Sequence, residues 1–191
     1  DPKMYVIIHR LHHVHTDNED DPHSPLHTTT MLSSFIQLFK FVKSIKRGEI
    51  YIEKSFYKNI PYWEICDIIS RNWIFRLIWV AFYTFIYIKL ATHWSLYFLL
   101  PIHFIMTHLQ GGLINWYAHK IGYKNFYIHN SSTNILPFDF IFLGEGHHNN
   151  HHKYQSRNNF GKQWFEIDIT YNLILVLDYI GIIQMKKNLV Q

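Results

Sequence analysis

Cysteine is almost absent from this chain of 191 residues, and Cys66 stands alone. A single thiol excludes an internal disulfide framework. The sequence also lacks a nucleotide-binding glycine fingerprint and a haem-attachment motif. Its lysines and arginines are scattered rather than gathered into a stripe, which argues against nucleic-acid binding. Disulfide-rich, nucleotide-dependent and nucleic-acid-binding proteins are therefore set aside as function classes.

Aromatic and apolar residues are abundant instead. Apolar residues make up 48% of the sequence and aromatic residues 18%, and the formal net charge is +4. Tyrosine and tryptophan concentrate at the water interface of membranes, and a positive charge favours an anionic membrane surface. The length fits one domain, residues 1–191. The composition thus predicts a single membrane-associated domain.

Histidine carries the chemistry. The chain has 15 histidines, and the motif His-x-x-His-His occurs twice, in HRLHH and in HNNHH. Positions i, i+3 and i+4 share one face of a helix, so each motif presents three imidazoles to one side. Imidazole is a ligand of iron, zinc, copper and nickel. We predict that the two motifs face each other and hold a pair of metal ions. The six residues are His9, His12, His13, His148, His151 and His152.

Two long apolar stretches predict membrane-spanning helices. Residues 74–91 are apolar except for Arg76 and Lys89, and residues 94–116 follow after a short link. Each stretch approaches the ~20 residues that a spanning helix needs. The alternative is a buried hairpin in a soluble all-helical enzyme. The expected fold is all-α, with a membrane-embedded helical hairpin and a cytoplasmic helical cap that carries the histidines.

Such a hairpin returns the chain to the side that it left, so both histidine motifs lie on one side of the membrane. Lysine and arginine flank its outer ends, in residues 40–71 and 120–124, whereas only Lys89 lies near the turn. The positive-inside rule then predicts a multi-pass membrane protein with its site on the cytoplasmic side.

Three further segments complete the expected helices. Residues 31–46 have the spacing of an amphipathic helix, which either lies on the membrane surface or packs as an ordinary helix. Residues 49–72 predict short helices and turns, and residues 164–177 predict a final amphipathic helix.

Polar side chains close to the histidines predict hydrogen bonds to the second ring nitrogen of a ligand. Two lie in the acidic segment after the first motif, and two lie before or inside the second motif. The four candidates are Asp17, Asp21, Glu145 and Asn149. Asn115 and His119 form a further pair, because positions i and i+4 share a helix face.

Three segments resemble one family. HRLHHVHTDNEDDPHSP resembles the second histidine box of the integral-membrane fatty acid desaturases, and GEGHHNNHHKYQSRNNF resembles their third box. NWYAHKIGY resembles the Asn-x-x-x-His-x-x-Gly segment of the delta-9 branch. The order and spacing of these three segments are similar to those of the family, and the resemblance spans essentially all 191 residues. The sequence between the boxes is most similar to the bacterial delta-9 acyl-CoA or acyl-lipid desaturases.

The resemblance implies a set of metal ligands. Asn115 would hold one metal through a water, whereas His147 stands where the family has an apolar or aromatic residue and is not expected to ligate. No catalytic residue beyond the ligands is implied. The direct ligands would be His9, His12, His13, His119, His148, His151 and His152.

Two departures from the family pattern matter. The family's first histidine box is absent, so we expect an N-terminally truncated fragment that lacks two ligands and two transmembrane helices and is inactive alone. Animal acyl-CoA enzymes carry Arg-Asp immediately before the second box, where this chain has Ile7 and Ile8. That difference leaves acyl-lipid and acyl-carrier substrates open.

The implied activity is the insertion of a cis double bond, at the delta-9 position, into a saturated acyl chain. The implied cofactors are two iron ions, with dioxygen as co-substrate and electrons from a separate ferredoxin or cytochrome b5 type protein. The implied partners are acyl-CoA or acyl-lipid and membrane lipid. Three alternatives remain: a membrane fatty acyl hydroxylase, a zinc-dependent membrane hydrolase, and a non-catalytic remnant that binds metal or partner helices.

Overall fold

Helices make up all the regular structure of the described chain, residues 1–60 and 63–185 of a computed structural model. Two isolated β-bridges occur in these residues, but no strand. The prediction of an all-α fold is confirmed. The α-helices are α1 (Pro2–His15), α2 (Met31–Lys46), α3 (Glu64–Arg71), α4 (Trp73–Leu90), α5 (Leu99–Ala118), α6 (His148–Lys153) and α7 (Ile169–Tyr179). Short 3-10 helices are Pro25–His27, Lys54–Tyr57 and Trp94–Phe98.

Local sequence sets the ends of the helices. At the start of α2, the Ser33 amide donates to the Thr30 hydroxyl at 3.1 Å and the Thr30 amide donates to the Ser33 hydroxyl at 3.0 Å. This reciprocal pair satisfies two amides that the first helical turn leaves free. The Asn72 side chain caps α4 by accepting from the Ile74 amide at 2.9 Å. The predicted helix over 31–46 is therefore found with its predicted bounds.

The apolar helices α4 and α5 lie against each other with most of their surface exposed. No residue of α4 is buried, and the helix is long and apolar enough to cross a membrane. Trp94–Met106 and His108–Ala118 form a pair bent by 69°, which counts as a second candidate when taken as one span. The Tyr87 hydroxyl and Nδ1 of His103 lie 3.0 Å apart and link the two helices. This arrangement agrees with a membrane hairpin.

Helix α2 crosses α5 in close contact. A Cβ atom on Gly112 would lie 1.9 Å from the Phe35 ring, so the absence of a side chain at Gly112 allows the approach. Leu32, Ile36 and Phe39 stay exposed on α2. One face of α2 therefore packs on α5, and its position on a membrane surface stays a prediction.

The apolar core is small. Ile7, Leu11 and Ile52 form its centre, with partly buried neighbours such as Phe41 and Ile45 around them. Among the described residues, more polar than apolar side chains are buried. Hydrogen bonds and ring contacts, rather than apolar packing alone, therefore hold the part of the chain that surrounds the histidines.

Helix α7 begins later than predicted. The sequence pattern predicted a helix from residue 164, but α7 starts at Ile169. Asp168 caps it by accepting from the Tyr171 amide at 2.9 Å. Upstream, the Glu166 carboxylate accepts from the amides of Lys162 and Gln163 at 2.6 and 2.8 Å, which folds this stretch into a turn. The predicted start was wrong because these side chains bind the backbone that a longer helix would have used.

Candidate metal centre

Helices α1 and α6 bring the two histidine motifs face to face. The rings of His9 and His151 stack with centroids 5.3 Å apart and an interplanar angle of 10°. The His13 and His152 ring centroids lie 4.4 Å apart. The i, i+3, i+4 spacing places all six imidazoles of the motifs between the two helices. They divide into two adjacent groups.

The larger group is the four-histidine cluster, which consists of His12, His119, His148 and His152. All four side chains are buried. The Nε2 atom of His148 lies 3.0 Å from that of His152 and 3.1 Å from that of His119. The Nε2 atoms of His12 and His152 lie 3.3 Å apart. His119 comes from the end of α5, so three separate elements build this cluster.

The smaller group is the three-histidine cluster, which consists of His9, His13 and His151. Their Nε2 atoms are separated by 3.1 Å between His9 and His151, 3.0 Å between His9 and His13, and 2.8 Å between His13 and His151. His9 and His13 are only partly buried. The two clusters together contain all seven histidines that the sequence predicted as direct ligands.

The nitrogen spacing fits a metal ion. A metal–nitrogen bond of ~2.0 Å implies neighbouring nitrogens ~3.3 Å apart in a tetrahedron and ~2.8 Å apart in an octahedron. The neighbouring Nε2 atoms are 2.8 to 3.3 Å apart, and the ligand atoms of each cluster all lie within 4.8 Å of one another. Each ring offers the same atom to its cluster, and imidazole nitrogen binds several transition metals. Both groups of rings could therefore hold an ion.

Burial lowers the pKa of six of the clustered rings from the ordinary 6.5, and nearby imidazoles lower it further, so the neutral form of these rings is favoured. The pKa of His9 falls to about 4, that of His13 to about 2 and that of His151 to about 3. The pKa values of His148 and His152 lie well below the usual range for the same reasons. Neutral imidazole is the form that ligates metals.

Asp21 fixes the orientation of the His12 ring. Its two carboxylate oxygens lie 2.9 and 3.0 Å from Nδ1 of His12, and they also accept from the amides of Asp17 and His23. Burial raises the pKa of Asp21, but the bonds from His12 and the amides outweigh it, so the pKa lies below its usual value. With the ring proton held at Nδ1, the Nε2 lone pair is directed into the four-histidine cluster.

Asp17 and Ser131 together fix the orientation of the His119 ring. The Nδ1 atom of His119 lies 2.9 Å from the Ser131 hydroxyl and 3.5 Å from Oδ1 of Asp17. The Ser131 hydroxyl donates to Asp17 at 3.0 Å. Burial raises the pKa of Asp17, but the hydrogen bonds from His119 and Ser131 bring it down to about 2. A positive φ of 67° at Asp17 turns the chain back after α1, which places this carboxylate beside the cluster.

A family model for fatty acid desaturases matches residues 1–169. The chain belongs to the fatty acid desaturase family. The exposed apolar helix α4 agrees with the membrane association of these proteins.

Curated relatives of this desaturase-family chain come from bacteria and plants. It is 26% identical to the sn-1 stearoyl-lipid 9-desaturase of Anabaena variabilis over 95% of the chain and 63% of that protein. It is 30% identical to the Delta-9 desaturase-like 4 protein of Arabidopsis thaliana, over 95% and 58%. It is 25% identical to the Acyl-CoA C20 Delta5-desaturase of Anemone leveillei, over 95% and 56%. The chain thus spans about three-fifths of the length of these desaturases. No solved structure matches it.

Asn115 lies one helical turn before His119 and is buried. Its side-chain amide donates to the backbone carbonyl of His23. Within residues 1–60 and 63–185, its Oδ1 atom has no hydrogen-bond partner, so it can still accept from a water. The metal-binding role of Asn115 through a water stays a prediction.

Glu145 and Asn149 lie outside hydrogen-bond contact with the clustered rings in the described part of the chain. Glu145 was predicted to orient a ligand imidazole, and the Nδ1 atom of His148, three residues further along, is buried without a partner among these residues. The side-chain oxygen of Asn149 accepts from the Asn125 and Phe126 amides at 3.0 and 2.8 Å. Asn149 therefore holds the neighbouring loop rather than a ring nitrogen.

His147 belongs to neither cluster. Its exposure is 0%, and neither ring nitrogen has a hydrogen-bond partner in the residues that the structure describes. Its ring does not join the converging Nε2 atoms of either cluster.

Three residues beside the four-histidine cluster were not predicted from the sequence. Ser131 binds His119, Nδ2 of Asn130 lies 3.4 Å from Nδ1 of His152, and the His23 ring centroid lies 5.3 Å from that of His12. His23 falls inside the DPHSP segment of the second box, which was a usable signal. Ser131 and Asn130 lie in an irregular segment that offers no periodic pattern.

Proposed function

We propose that this chain forms the metal-binding part of a membrane fatty acid desaturase that introduces a cis double bond into a saturated acyl chain. One observation carries the proposal: each His-x-x-His-His motif contributes rings to both clusters. Two adjacent sites that share the same pair of helices are what a two-metal centre requires. A pair of independent zinc sites would have no need of such sharing.

The proposed cofactors are two iron ions, one in each cluster. When bound, they would supply the dioxygen-dependent oxidising chemistry that an unactivated methylene needs, because such a carbon has no acidic proton and no leaving group. The residues of the chain hold neutral imidazoles in place. Asp21 and Asp17 keep the protons of His12 and His119 on the outer ring nitrogens.

A separate protein would deliver the two electrons. Nothing in the sequence resembles a flavin, nicotinamide or haem site. We therefore propose an external donor of the ferredoxin or cytochrome b5 type.

We propose an acyl-lipid substrate and a double bond at the delta-9 position. Ile7 and Ile8 are 3% and 7% exposed, and Ile7 packs against Leu11 and Ile52. Buried apolar side chains at these positions offer nothing to a charged coenzyme A headgroup. The relatives from Anabaena variabilis and Arabidopsis thaliana carry position 9 in their names, which supports the proposed position.

We further propose that α4 and α5 span the membrane, and that both clusters lie on its cytoplasmic side. The uncovered apolar surface of α4 and the bent pair that includes α5 support the spans. Lys89 lies near the turn between them, whereas several lysines and arginines flank the opposite ends, which supports the orientation.

The test is product analysis in a host with no desaturase of its own. Membranes that contain the full-length protein and an electron donor should convert stearoyl lipid into a delta-9 monounsaturated product, and the conversion should require iron and dioxygen. Hydroxylated fatty acid would assign the protein to the hydroxylases instead. Conversion without dioxygen would contradict an oxidative reaction altogether.

A second arm uses residues 1–191 alone. We propose that this chain does not turn over substrate, because the three-histidine cluster offers only three nitrogens and leaves an iron coordination sphere open. Product formation by residues 1–191 would show that these seven histidines suffice.

A further inference from the structure

A second buried polar centre lies next to the histidine clusters, around Glu166. The side chain is 5% exposed, and its two carboxylate oxygens accept six hydrogen bonds. Oε1 accepts from the Tyr123 hydroxyl at 2.6 Å and from the side-chain amides of Asn125 and Asn134 at 2.7 and 3.3 Å. Oε2 accepts from the Asn150 side-chain amide at 2.9 Å and from the amides of Lys162 and Gln163 at 2.6 and 2.8 Å.

Every partner of Glu166 in this network is a neutral donor. Burial raises its pKa, but the hydrogen bonds from Tyr123, Gln163 and Lys162 outweigh this effect, and the pKa lies below the usual value. The group is therefore a carboxylate at neutral pH. A carboxylate only accepts hydrogen bonds, so it suits a site that is surrounded by donors.

The network reaches the second histidine motif through α6. This helix has six residues, too few to be stable by itself. No side chain of its own caps it, and the Oδ1 atom of Asn134 accepts from the amides of Asn149 and Asn150 at 3.0 and 3.3 Å. Asn134 thus caps α6 from outside the helix.

Asn150 anchors α6 by hydrogen bonds on the side opposite the histidines. Its side-chain amide donates to Glu166 and to the Phe160 carbonyl at 2.8 Å, and its oxygen accepts from Asn125 and Asn134 at 2.9 and 3.1 Å. Helical periodicity places Asn149 and Asn150 on the side of α6 opposite the histidines. One side of α6 therefore meets the clusters, and the other side meets the Glu166 network.

We propose that Glu166 is a positioning residue for the second histidine motif, acting through Asn134 and Asn150 on the placement of its three metal-binding rings. This role rests on the proposed metal site, because it concerns the placement of α6 relative to that site. Its effect reaches both clusters, since α6 supplies rings to each.

The chemistry of the network dictates which substitutions test the role. In Glu166→Gln, one acceptor oxygen becomes an amide donor, which must face groups that also donate. In Glu166→Asp, the charge remains but the shorter side chain cannot reach all partners. Aspartate should therefore recover part of what glutamine loses, and this partial recovery separates positioning from a general loss of packing.

The experiment measures Co²⁺ binding by visible absorption in the purified full chain. Glu166→Gln is expected to weaken Co²⁺ binding by ~10 to 100-fold and to change the absorption bands, as loss of a group behind a ligand does. Glu166→Asp should fall between this variant and the wild type. Far-UV circular dichroism should show unchanged helix content. Asp67→Asn is the matched control, because Asp67 on α3 is also buried but pairs with Lys3 of α1 at 2.8 Å. The Co²⁺ spectrum of this control should equal that of the wild type.

Wild-type Co²⁺ affinity and bands in folded Glu166→Gln would overturn the positioning role. If that variant does not fold, Tyr123→Phe removes only one of the donors and should weaken binding ~3-fold, and an unchanged affinity there would equally overturn the role. Because the readout is the metal spectrum, a wild-type protein that binds Co²⁺ but desaturates nothing would contradict the proposed function alone. A wild type that binds no Co²⁺ would contradict both.

Discussion

The four-histidine cluster and the three-histidine cluster use the same ring atom at nearly the same spacing, yet they differ in what lies behind the rings. In the four-histidine cluster, Asp21 holds Nδ1 of His12, and Asp17 with Ser131 holds Nδ1 of His119. In the three-histidine cluster, the Nδ1 atoms of His13 and His151 are buried without a partner in the described residues.

This difference indicates two sites of unequal strength. A carboxylate behind an imidazole fixes the ring and raises its basicity, so it strengthens metal binding. The four-histidine cluster combines that support with full burial and one more nitrogen. We therefore expect it to bind its metal more tightly, and we expect the three-histidine cluster to exchange its metal with solution.

The largest effect on metal content and activity should come from removing a single metal-binding ring, from either cluster. His152→Ala and His151→Ala should each lose one of two metal ions per chain and abolish desaturation, because losing a direct ligand costs more than the ~100-fold of an outer partner. Metal content by mass spectrometry gives the measurement. His147→Ala is the control and should keep both ions. Loss of both ions from either variant would contradict two separable sites.

Replacing a carboxylate that holds the outer nitrogen of one ring should lower the metal affinity of only one cluster. Asp21→Asn should lower the affinity of the four-histidine cluster by ~10 to 100-fold and leave the other cluster unchanged, because Asn cannot supply the negative charge that His12 now faces. Metal titration followed by absorption measures both affinities. Asp20→Asn, at an exposed neighbouring position, should have no effect. Equal weakening of both sites would show that the clusters are coupled.

The unmodified protein should lose its two metals in sequence. A chelator should first remove the ion of the three-histidine cluster. We expect its affinity to be ~10-fold lower, since no carboxylate among the described residues holds its rings. Stepwise chelation with metal analysis should show two phases in the wild type. The early phase should be missing in His151→Ala. A single phase in the wild type would refute the ranking of the sites.

The smallest effect on metal affinity should come from changing one of the two partners of His119, because either can accept the proton on its Nδ1 atom. Asp17→Asn or Ser131→Ala alone should weaken the four-histidine cluster ~3-fold, because the remaining partner still holds Nδ1. The double variant should lose more than the product of the two single losses. The same metal titration measures all three variants. If the loss in the double variant equals the product of the two single losses, Asp17 and Ser131 do not substitute for each other.

Local patterns predicted much of this fold. The helix over 31–46 was found because the Thr30–Ser33 cap and the apolar period both lie within the segment itself. The convergence of the rings followed from helical spacing. The start of α7 was misplaced because Glu166 and Asp168 are engaged by backbone amides, a tertiary effect that no window of sequence contains.

The support around the rings could not be predicted in the same way. Asp21 follows the first motif closely, and its role was predicted. Ser131, Asn134 and Glu166 reach the clusters through irregular chain, where neither a helical nor a strand period exists. Side-chain hydrogen bonds, rather than periodic apolar faces, position these residues, and single-sequence patterns carry little information about such bonds.

The pairing of α1 with α6 also determines how the chain is tied together. His9 and His151 are 142 positions apart, so a metal ion held by both closes a very long loop. Closing such a loop costs more chain entropy than closing a short one, and a cross-link that is already in place removes that cost. The ion would thus act as a cross-link between α1 and α6. Its release would remove one cross-link between the first helix and the last third of the chain, and the bonds from Ser131 to Asp17 would remain.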